Sequence, residues 1–464
     1  MSVVGGIMVP HPPLILPEVG RGEEKCIETT RKAYEKAAEF VRELAPETIV
    51  LSSPHSIMYA DYLHISPGAG ASGDMGRFRA GQVRISREYD EPLAKRIAAL
   101  SEKADLPAGF LGERDPSLDH GTLIPLYFIL QKYTDFRLVR LGISGISLAD
   151  HYRIGMLIQQ AAEEQNRRVV YVASGDLSHK LKASGPYGFA KEGPEYDKRI
   201  MQDCGSGSFG NLLTYDPVFL DKAAECGHRS FVLMAGALDG LSVEAAELSH
   251  QDVTGVGYGV CTFRVTGEDP NRHFLAQYEK NERDALAAKR AGEDPLVALA
   301  RKTIEQFVTD RTVPDEKDPT LSLPEELLHT RAGAFVSLHE AGELRGCIGT
   351  ILPVRKNLAQ EIIENAVSAA TRDPRFSPVR KAELPYLEIS VDVLGEPEDI
   401  PDAGALDVRR YGVIVTKGRK RGLLLPDLPG VDTVEEQIRI AKKKAGIPED
   451  EAVQLQRFEV VRHT

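Results

Sequence analysis

Three short runs of apolar and β-branched residues, each followed closely by a histidine, constrain the fold of this chain more than any other feature. The runs predict strands at about 3–9, 48–53 and 168–174, and the histidines after them are His11, His55 and His179. Apolar runs that alternate with helical segments are typical of buried parallel strands in an α/β sheet. In such sheets the ligand crevice lies beyond the carboxyl ends of the strands. The pattern therefore predicts that the three histidines meet at one edge of a sheet.

The composition excludes several classes of function. The chain has 464 residues and a formal net charge of −12, which argues against a general binder of nucleic acids. No apolar run approaches the length of a membrane span, and the first residues lack the pattern of a secretory signal. The five cysteines are scattered, at Cys26, Cys204, Cys226, Cys261 and Cys347. An odd, scattered set indicates reduced thiols, so we expect a cytoplasmic protein.

The chain is long enough for two domains, and its pattern changes near residue 270. Residues 1–268 alternate strands with helices, which predicts an α/β domain with a central sheet and helices on both faces. Residues 269–295 are highly charged and bracketed by Asp-Pro pairs, which is typical of a helical connector. Residues 296–464 predict a smaller α+β domain. Residues 68–73 match GxGxxG formally, but no helix is expected to follow, so we interpret them as a loop instead of a phosphate-binding turn.

The histidines of the first domain are candidates for metal binding and proton transfer. His11 and His55 form the best pair of imidazole ligands, because prolines stiffen the loops that carry them. Glu225 precedes the apolar segment SFVLMAGAL and is a candidate third ligand, since two His and one carboxylate form the facial triad of non-haem Fe(II) oxygenases. His120 and His179 are then candidate acid–base catalysts. Asp176 is a candidate for substrate binding or for orienting His179.

The order of these motifs is similar to that of a known family. HPP, SPHS, LDHGT and SGDLSH, followed by an acidic residue before a helix, resemble the class III extradiol ring-cleaving dioxygenases of the LigB type. The segments GDMGRFRAG, SGDLSH and ECGHRSFVL resemble the Memo-like proteins within that group. The resemblance spans residues 1–266. It implies that His11, His55 and Glu225 hold Fe(II), with another divalent metal or copper as alternatives, and that His120 and His179 are catalytic.

The third ligand has two candidates. Memo-like proteins carry a cysteine at the place of the acidic ligand, and Glu225 and Cys226 are adjacent in this chain. We expect Glu225, because its spacing to His228 resembles the Cys-to-His spacing of Memo-like chains and because a carboxylate keeps the iron triad intact. Cys226 is the alternative.

The second domain carries its own motif. LRGCIGT at 344–350 with RDPRFSPV at 372–379 resembles the AMMECR domain, over residues 296–461. Cys347 is either a nucleophilic or redox thiol, with Arg345 as an anion-binding group, or a small buried residue at a tight turn. The basic residues of 417–421 are interpreted as a solvated hairpin tip, with RNA contact as a minor alternative.

Two functions follow from the resemblances. The first is an extradiol-type oxidoreductase that cleaves a small aromatic, catechol-like substrate with Fe(II). The second is a Memo-like metal- or peptide-binding scaffold without dioxygenase activity. The joining of the two domains resembles the AmmeMemoRadiSam grouping, which implies a radical-SAM protein as partner in a modification pathway.

Overall fold

The chain divides into two compact units, Met1–Glu279 and Lys280–Thr464, in a computed structural model. The structure describes residues 2–464 apart from positions 116, 317–322, 341, 382 and 429, and the side chains at 289, 291 and 343. The segment 269–295, predicted as a connector, contains helix Phe274–Ala291, and the boundary between the units falls inside this helix. None of the described helices is both long and apolar enough to cross a bilayer.

The first unit alternates strands and helices along the chain. Its strands are β1 (Val3–Val9), β2 (Thr48–Ser52), β3 (Leu63–His64), β4 (Gly70–Met75), β5 (Ala80–Glu88), β6 (Ala108–Gly109), β7 (Arg137–Leu141), β8 (Val169–Ser174), β9 (Leu241–Gln251) and β10 (Tyr258–Glu268). Its helices are α1 (Pro17–Gly20), α2 (Glu28–Leu44), α3 (Glu91–Lys103), α4 (His120–Leu130), α5 (Leu148–Glu164), α6 (Glu192–Gly205), α7 (Pro217–Ala223) and α8 (His228–Ala237). The three strands predicted ahead of the histidines are confirmed as β1, β2 and β8.

The central sheet has the strand order β7-β2-β8-β1-β10-β9. The first four strands of this order are mutually parallel, and β10 and β9 extend the sheet antiparallel. Because β2, β8 and β1 are direct neighbours, the loops that follow them leave the same edge of the sheet side by side. The topology therefore positions the predicted histidine loops together.

Helices cover both faces of the sheet, as predicted. Successive residues of a strand point to opposite faces, so each buried strand supplies both layers. On β2, Ile49 and Leu51 pack in the layer formed with α2 and α4, whereas Val50 packs in the layer formed with α3, α5 and α8. Burial on both faces explains why β1, β2 and β8 are continuous apolar runs.

One expectation about the first unit is wrong. Residues 68–73 were expected to be a loop, but β4 begins at Gly70 and pairs antiparallel with β5. This pair is a two-stranded sheet separate from the central one. The edge strand β9 was not predicted, because its sequence LSVEAAELSHQ is largely polar and only its first and ninth residues are buried.

The second unit has an antiparallel sheet with helices packed on it. After α9 (Phe274–Ala291), its helices are α10 (Pro295–Asp310), α11 (Glu325–His329), α12 (Leu358–Thr371) and α13 (Val434–Ala445). Its strands are β11 (Ala334–Glu340), β12 (Glu343–Gly349), β13 (Leu387–Leu394), β14 (Glu398–Ile400), β15 (Tyr411–Lys417), β16 (Lys420–Leu424) and β17 (Gln454–His463). The sheet order is β12-β11-β13-β17-β15-β16, with β14 on β17. Helices α10 and α12 pack against β11 and β13, and α13 packs against β15 and β16.

His151 on α5 is a buried core residue whose hydrogen bonds require a neutral ring. Its Nδ1 lies 2.9 Å from the carbonyl oxygen of Ser147, which only accepts, and its Nε2 accepts from the backbone N–H of Ser144 at 3.3 Å. Burial lowers the pKa of His151 to about 4. The unfolded chain, whose histidines titrate near about 6.5, therefore binds this proton more readily than the folded protein.

We expect the free energy of unfolding to fall as the pH drops from about 6.5 to about 4, because only the unfolded state gains the His151 proton in this window. One such proton contributes a slope of roughly 1.4 kcal/mol per pH unit. Urea unfolding of metal-free protein at stepped pH measures it. His151→Gln should make the dependence shallower by about one proton, whereas the matched exposed variant His329→Gln should not. Equal slopes in all three proteins would contradict the prediction.

Candidate metal centre

The loops after β1, β2 and β8 bring the predicted residues together at the carboxyl edge of the sheet. His11 follows β1, His55 follows β2, and Asp176 and His179 follow β8. His120 is the first residue of α4. The rings of His11, His55 and His120 lie with centroids 4.0–5.5 Å apart. The meeting of these histidines, which no single strand reveals, is the central feature of the first unit.

His11 has its lone pair directed into the cluster. Ser174 Oγ lies 2.6 Å from the carbonyl oxygen of Gly121 and 3.0 Å from His11 Nδ1. A hydroxyl has one proton and a carbonyl oxygen only accepts, so Ser174 donates to Gly121 and accepts from Nδ1–H of His11. This places the unprotonated nitrogen of His11 at Nε2. Burial, and next the neighbouring His55, lower the pKa of His11 to about 3, so the ring is neutral near pH 7.

The third donor in this group is Cys226. One nitrogen of His11, one of His55 and the sulfur of Cys226 all lie within 4.8 Å of one another. His11 Nε2 is 3.0 Å from His55 Nε2 and 3.6 Å from Cys226 Sγ. One ion held by two imidazoles and a thiolate with bonds of about 2.0–2.3 Å at about 90–110° separates its donors by about 2.8–3.6 Å. The two separations from His11 Nε2 lie in this range, so the three residues are a candidate donor set for one metal ion.

Glu225, the expected third ligand, lies elsewhere. Its Oε2 accepts a 2.6 Å hydrogen bond from the backbone N–H of His228, at the start of α8. The carboxylate thus caps the helix, a role that acidic groups at helix N-termini commonly have. Burial raises the pKa of Glu225 to about 7. The structure therefore favours Cys226, the alternative left open by the sequence, as the donor beside the two imidazoles.

Two glycines hold the Cys226 loop against the end of β8. A Cβ on Gly175 would stand 2.1 Å from the Cα of Gly227, so only the absence of both side chains permits this approach. The backbone N–H of Asp176 then donates to Cys226 Sγ at 3.3 Å. Burial, followed by Asp176 and Glu225, raises the pKa of the Cys226 thiol in the metal-free protein. Metal binding therefore has to release the thiol proton.

Asp176 connects two of the loops that form the candidate site. Its Oδ1 accepts a 2.7 Å hydrogen bond from the backbone N–H of His11, so it ties the loop after β8 to the loop after β1. Burial raises the pKa of the Asp176 carboxyl group. The expected role in substrate binding is open only to its other oxygen.

His179 lies beside the centre with one nitrogen fixed. Its Nδ1 is 2.5 Å from the carbonyl oxygen of Ala224, which can only accept, so Nδ1 carries the proton and Nε2 has the lone pair. The ring packs edge-on against Tyr187 at 5.1 Å between centroids. This is the tautomer that a general base needs.

The position of His120 at the start of α4 is fixed by the preceding residue, Asp119. Asp119 caps α4 through a 3.0 Å hydrogen bond from the backbone N–H of Thr122 and pairs with the buried Arg140 at 3.2 Å. Burial, and next His55, lower the pKa of His120 to about 4. His120 is therefore a neutral imidazole near pH 7, suited to accept a proton or a hydrogen bond.

A cavity of about 810 Å³ opens beside the centre. His55 and His120 contribute to its wall, and Phe78 lies edge-on to His120 at 5.3 Å between centroids. Asp74 and Arg84, also in the wall, form a 2.8 Å ion pair. A volume of this size is typical of a site for a small molecule.

Sequence reasoning did not identify Ser174, Phe78 or the pair Gly175 and Gly227 as parts of the site. Ser174 had a usable signal, because it is the one polar residue that ends the apolar strand VVYVAS. Phe78 lies in GDMGRFRAG, a segment whose only sequence signal is its resemblance to Memo-like proteins.

In the second unit the two residues of the motif have different surroundings. Arg345 Nε forms a 2.7 Å ion pair with Glu383, and both side chains are largely buried. Its Nη1 donates to the carbonyl oxygen of Ser377 at 2.8 Å. Arg345 is therefore engaged inside the protein and is not placed as the expected anion-binding group. Cys347 is half-buried and lies on the wall of a cavity.

The fold and the site define an α/β protein with a candidate metal centre at the carboxyl ends of its parallel strands. A family model described as the catalytic LigB subunit of aromatic ring-opening dioxygenase matches residues 5–261, and the AMMECR1 model matches residues 297–463. The chain belongs to the LigB family and carries an AMMECR1 domain after it.

Some related proteins match the whole length of this chain, and others match part of it. Protein CA_C1420 of Clostridium acetobutylicum is 40% identical over 100% of this chain and 99% of its own length. A protein of Thermotoga maritima is 56% identical over 37% of this chain and 98% of its own length. The crystal structure of uncharacterized protein PH0010 from Pyrococcus horikoshii is 34% identical and covers 36% of this chain and 88% of its own, with a TM-score of 0.33.

We expect Ser174→Ala to weaken metal binding by about 10- to 100-fold, because the hydroxyl fixes the tautomer and orientation of His11. Anaerobic titration with Co²⁺, followed by its absorption, measures the affinity. Ser56→Ala is the matched control, since Ser56 is also buried near the site but its hydroxyl has no hydrogen-bond partner among the described residues. Equal affinities of the two variants would refute this role of Ser174.

Proposed function

We propose that the LigB-type domain is a metal-dependent oxidoreductase whose metal is held by His11, His55 and Cys226. The observation that carries this proposal is the convergence of the three donor atoms within 4.8 Å. Membership of the LigB family supports it, since the family model describes a ring-opening dioxygenase subunit.

Fe(II) is the metal that we propose, with another divalent metal or copper as alternatives. Imidazole binds iron, zinc and copper well, and a thiolate favours softer ions over Mg²⁺ or Ca²⁺. A thiolate has the same charge as the carboxylate of the usual iron triad, so replacing one by the other leaves the net charge of the centre unchanged. When bound, the metal would supply open positions at which a substrate oxygen and dioxygen are activated.

The chain's own residues would bind the substrate and move its protons. A small aromatic, catechol-like diol would enter the cavity beside His55 and His120, with Phe78 against its ring. His179 would take a hydroxyl proton at Nε2, because its Nδ1 proton is held by Ala224. His120, neutral near pH 7, would accept a hydrogen bond from the second hydroxyl group.

The thiol of Cys226 beside the two imidazoles supports a second candidate function. With a thiolate as third ligand, the centre differs from the carboxylate triad of ring-cleaving enzymes. The domain would then be a metal-binding scaffold without dioxygenase activity. It would act with its AMMECR1 domain and a radical-SAM partner in a modification pathway.

The first experiment is the metal content of protein purified without oxygen, for wild type, Cys226→Ala and Glu225→Gln. We expect near-stoichiometric metal in wild type and in Glu225→Gln, whose amide oxygen can still cap α8, and loss of metal in Cys226→Ala. Metal retained in Cys226→Ala but lost in Glu225→Gln would refute the assigned ligand set.

Oxygen uptake with catechols by the iron-loaded protein would then support the oxidoreductase, and bound metal without such uptake would support the scaffold.

For the oxidoreductase we expect His179→Gln to lower kcat by roughly 10²- to 10⁴-fold, the usual contribution of a general base. Metal content should not change, because Cys226, His11 and His55 are untouched. The neighbouring variant Lys180→Gln is the control and should keep both activity and metal. Loss of metal in His179→Gln would show that His179 supports the centre and would contradict a purely catalytic role.

A further inference from the structure

A second cavity, of about 880 Å³, lies within the second unit. It opens on the face of the sheet opposite to α10 and α12. On β11, Val336 and Leu338 point into the core beneath those helices, whereas Phe335, Ser337 and His339 line the cavity. The floor of the cavity is thus the sheet face opposite to the core beneath α10 and α12, and residues of α9 and α13 contribute to its walls.

Polar groups form a row across the floor of this cavity. Ser337 on β11 is the register partner of Cys347 on β12 and of Ser390 on β13. The three side chains therefore stand next to one another on one face of three adjacent strands. Ser337 Oγ donates to Cys347 Sγ at 3.3 Å. The sulfur lies at one end of this polar row, on the edge strand β12.

Three cationic side chains from separate elements share the cavity with Cys347. Arg375 comes from the loop after α12, Lys444 from α13 and Arg462 from β17. Arg375 Nη2 donates to the carbonyl oxygen of Cys347 at 3.4 Å. All three line the cavity. Cations that converge from distant parts of the sequence are typical of a site for a negatively charged group.

One of these cations has no acidic partner. Arg375 pairs with Asp373 at 2.7 Å, and Arg462 pairs with the buried Asp392 at 2.8 Å. Lys444 forms no ion pair with any residue in the described part of the chain. Lys444 lines the cavity, so its positive charge stands there without an ion pair of its own.

Part of the remaining wall is apolar: Phe335, Leu425 and Leu428 form it, and Leu344 extends it to the surface. The rest of the wall is charged and includes the ion pair of Arg301 with Glu293. An apolar wall with a few convergent polar groups is the usual character of a site for a small molecule.

We propose that this cavity binds a small molecule that has an oxyanion group and an apolar body. Lys444, assisted by Arg375 and Arg462, would hold the carboxylate or phosphate group, and Phe335 and the leucines would contact the body. The bound molecule would lie over the sulfur of Cys347. The anion-binding role expected of Arg345 is assigned to these three residues instead.

The charge of the cavity is tested by alkylation of Cys347 with iodoacetate, an anion, and with iodoacetamide, its neutral analogue. In both reactions the thiolate sulfur bonds to the methylene carbon, the carbon–iodine bond breaks and iodide leaves. Peptide mass spectrometry gives the rate at Cys347 and, as an internal reference, at the exposed Cys26. We expect a higher iodoacetate-to-iodoacetamide rate ratio at Cys347 than at Cys26.

Lys444→Gln should lower this ratio at Cys347 roughly fivefold, the effect of one charge at a distance of about 4 Å in water. Lys443→Gln, which removes a charge from the adjacent exposed position of the same helix, should leave the ratio unchanged. A ratio that is the same in wild type and Lys444→Gln would overturn the proposal. Because the ratio compares two reagents on one thiol, a change in the reactivity of the thiol itself does not imitate the result.

Ligand binding is tested by protection of Cys347 from iodoacetamide. Phenyl phosphate and benzoate are the probes, and phenol is the uncharged control. We expect at least one of the two anions to slow alkylation in wild type and in Lys443→Gln, but not in Lys444→Gln. Protection by phenyl phosphate alone would assign a phosphate group, and protection by benzoate alone a carboxylate. Equal protection by phenol, or none by either anion, would overturn the proposal.

Discussion

The parallel pairing of β2, β8 and β1 is the constraint on which the first unit depends. Three buried neighbours that run in the same direction deliver their following loops to one edge, and each loop carries a histidine. No residue of the metal centre needs to be near another in sequence, because the register of the strands brings them together. The candidate centre is therefore placed at the ends of fully buried, paired strands.

The sequence predicted much of this arrangement, because its signals are local. The continuous apolar runs identified β1, β2 and β8, and the histidines after them identified the edge of the sheet. Local sequence patterns do not give the distance between loops that are far apart in the sequence. Glu225 was expected as the ligand on the chemistry of a triad, but the turn before α8 directs its carboxylate to the backbone N–H of His228 and leaves Cys226 facing the imidazoles. The polar edge strand β9 and the strand β17 had no periodic pattern that would have indicated them.

The two units use charge in different ways. In the first unit, carboxylates tie loops and helix starts to backbone groups, as Asp176 does for His11 and Asp119 for α4, while the imidazoles are kept neutral by burial. In the second unit most arginines at the cavity are paired with acids, and one lysine is not. A neutral cluster of nitrogen and sulfur donors suits a cation, and an unpaired ammonium group suits an anion. The chain therefore carries two candidate sites of opposite charge preference.

Because Gly175 and Gly227 pack backbone against backbone, the position of the loop that carries residue 226 does not depend on the side chain at 226. Main chain rests on main chain there, with no side chain in between. Whatever residue occupies position 226 is consequently delivered to the same place beside His11 and His55. A substitution at position 226 would therefore change the chemical nature of the third donor while the loop that carries it stays in place.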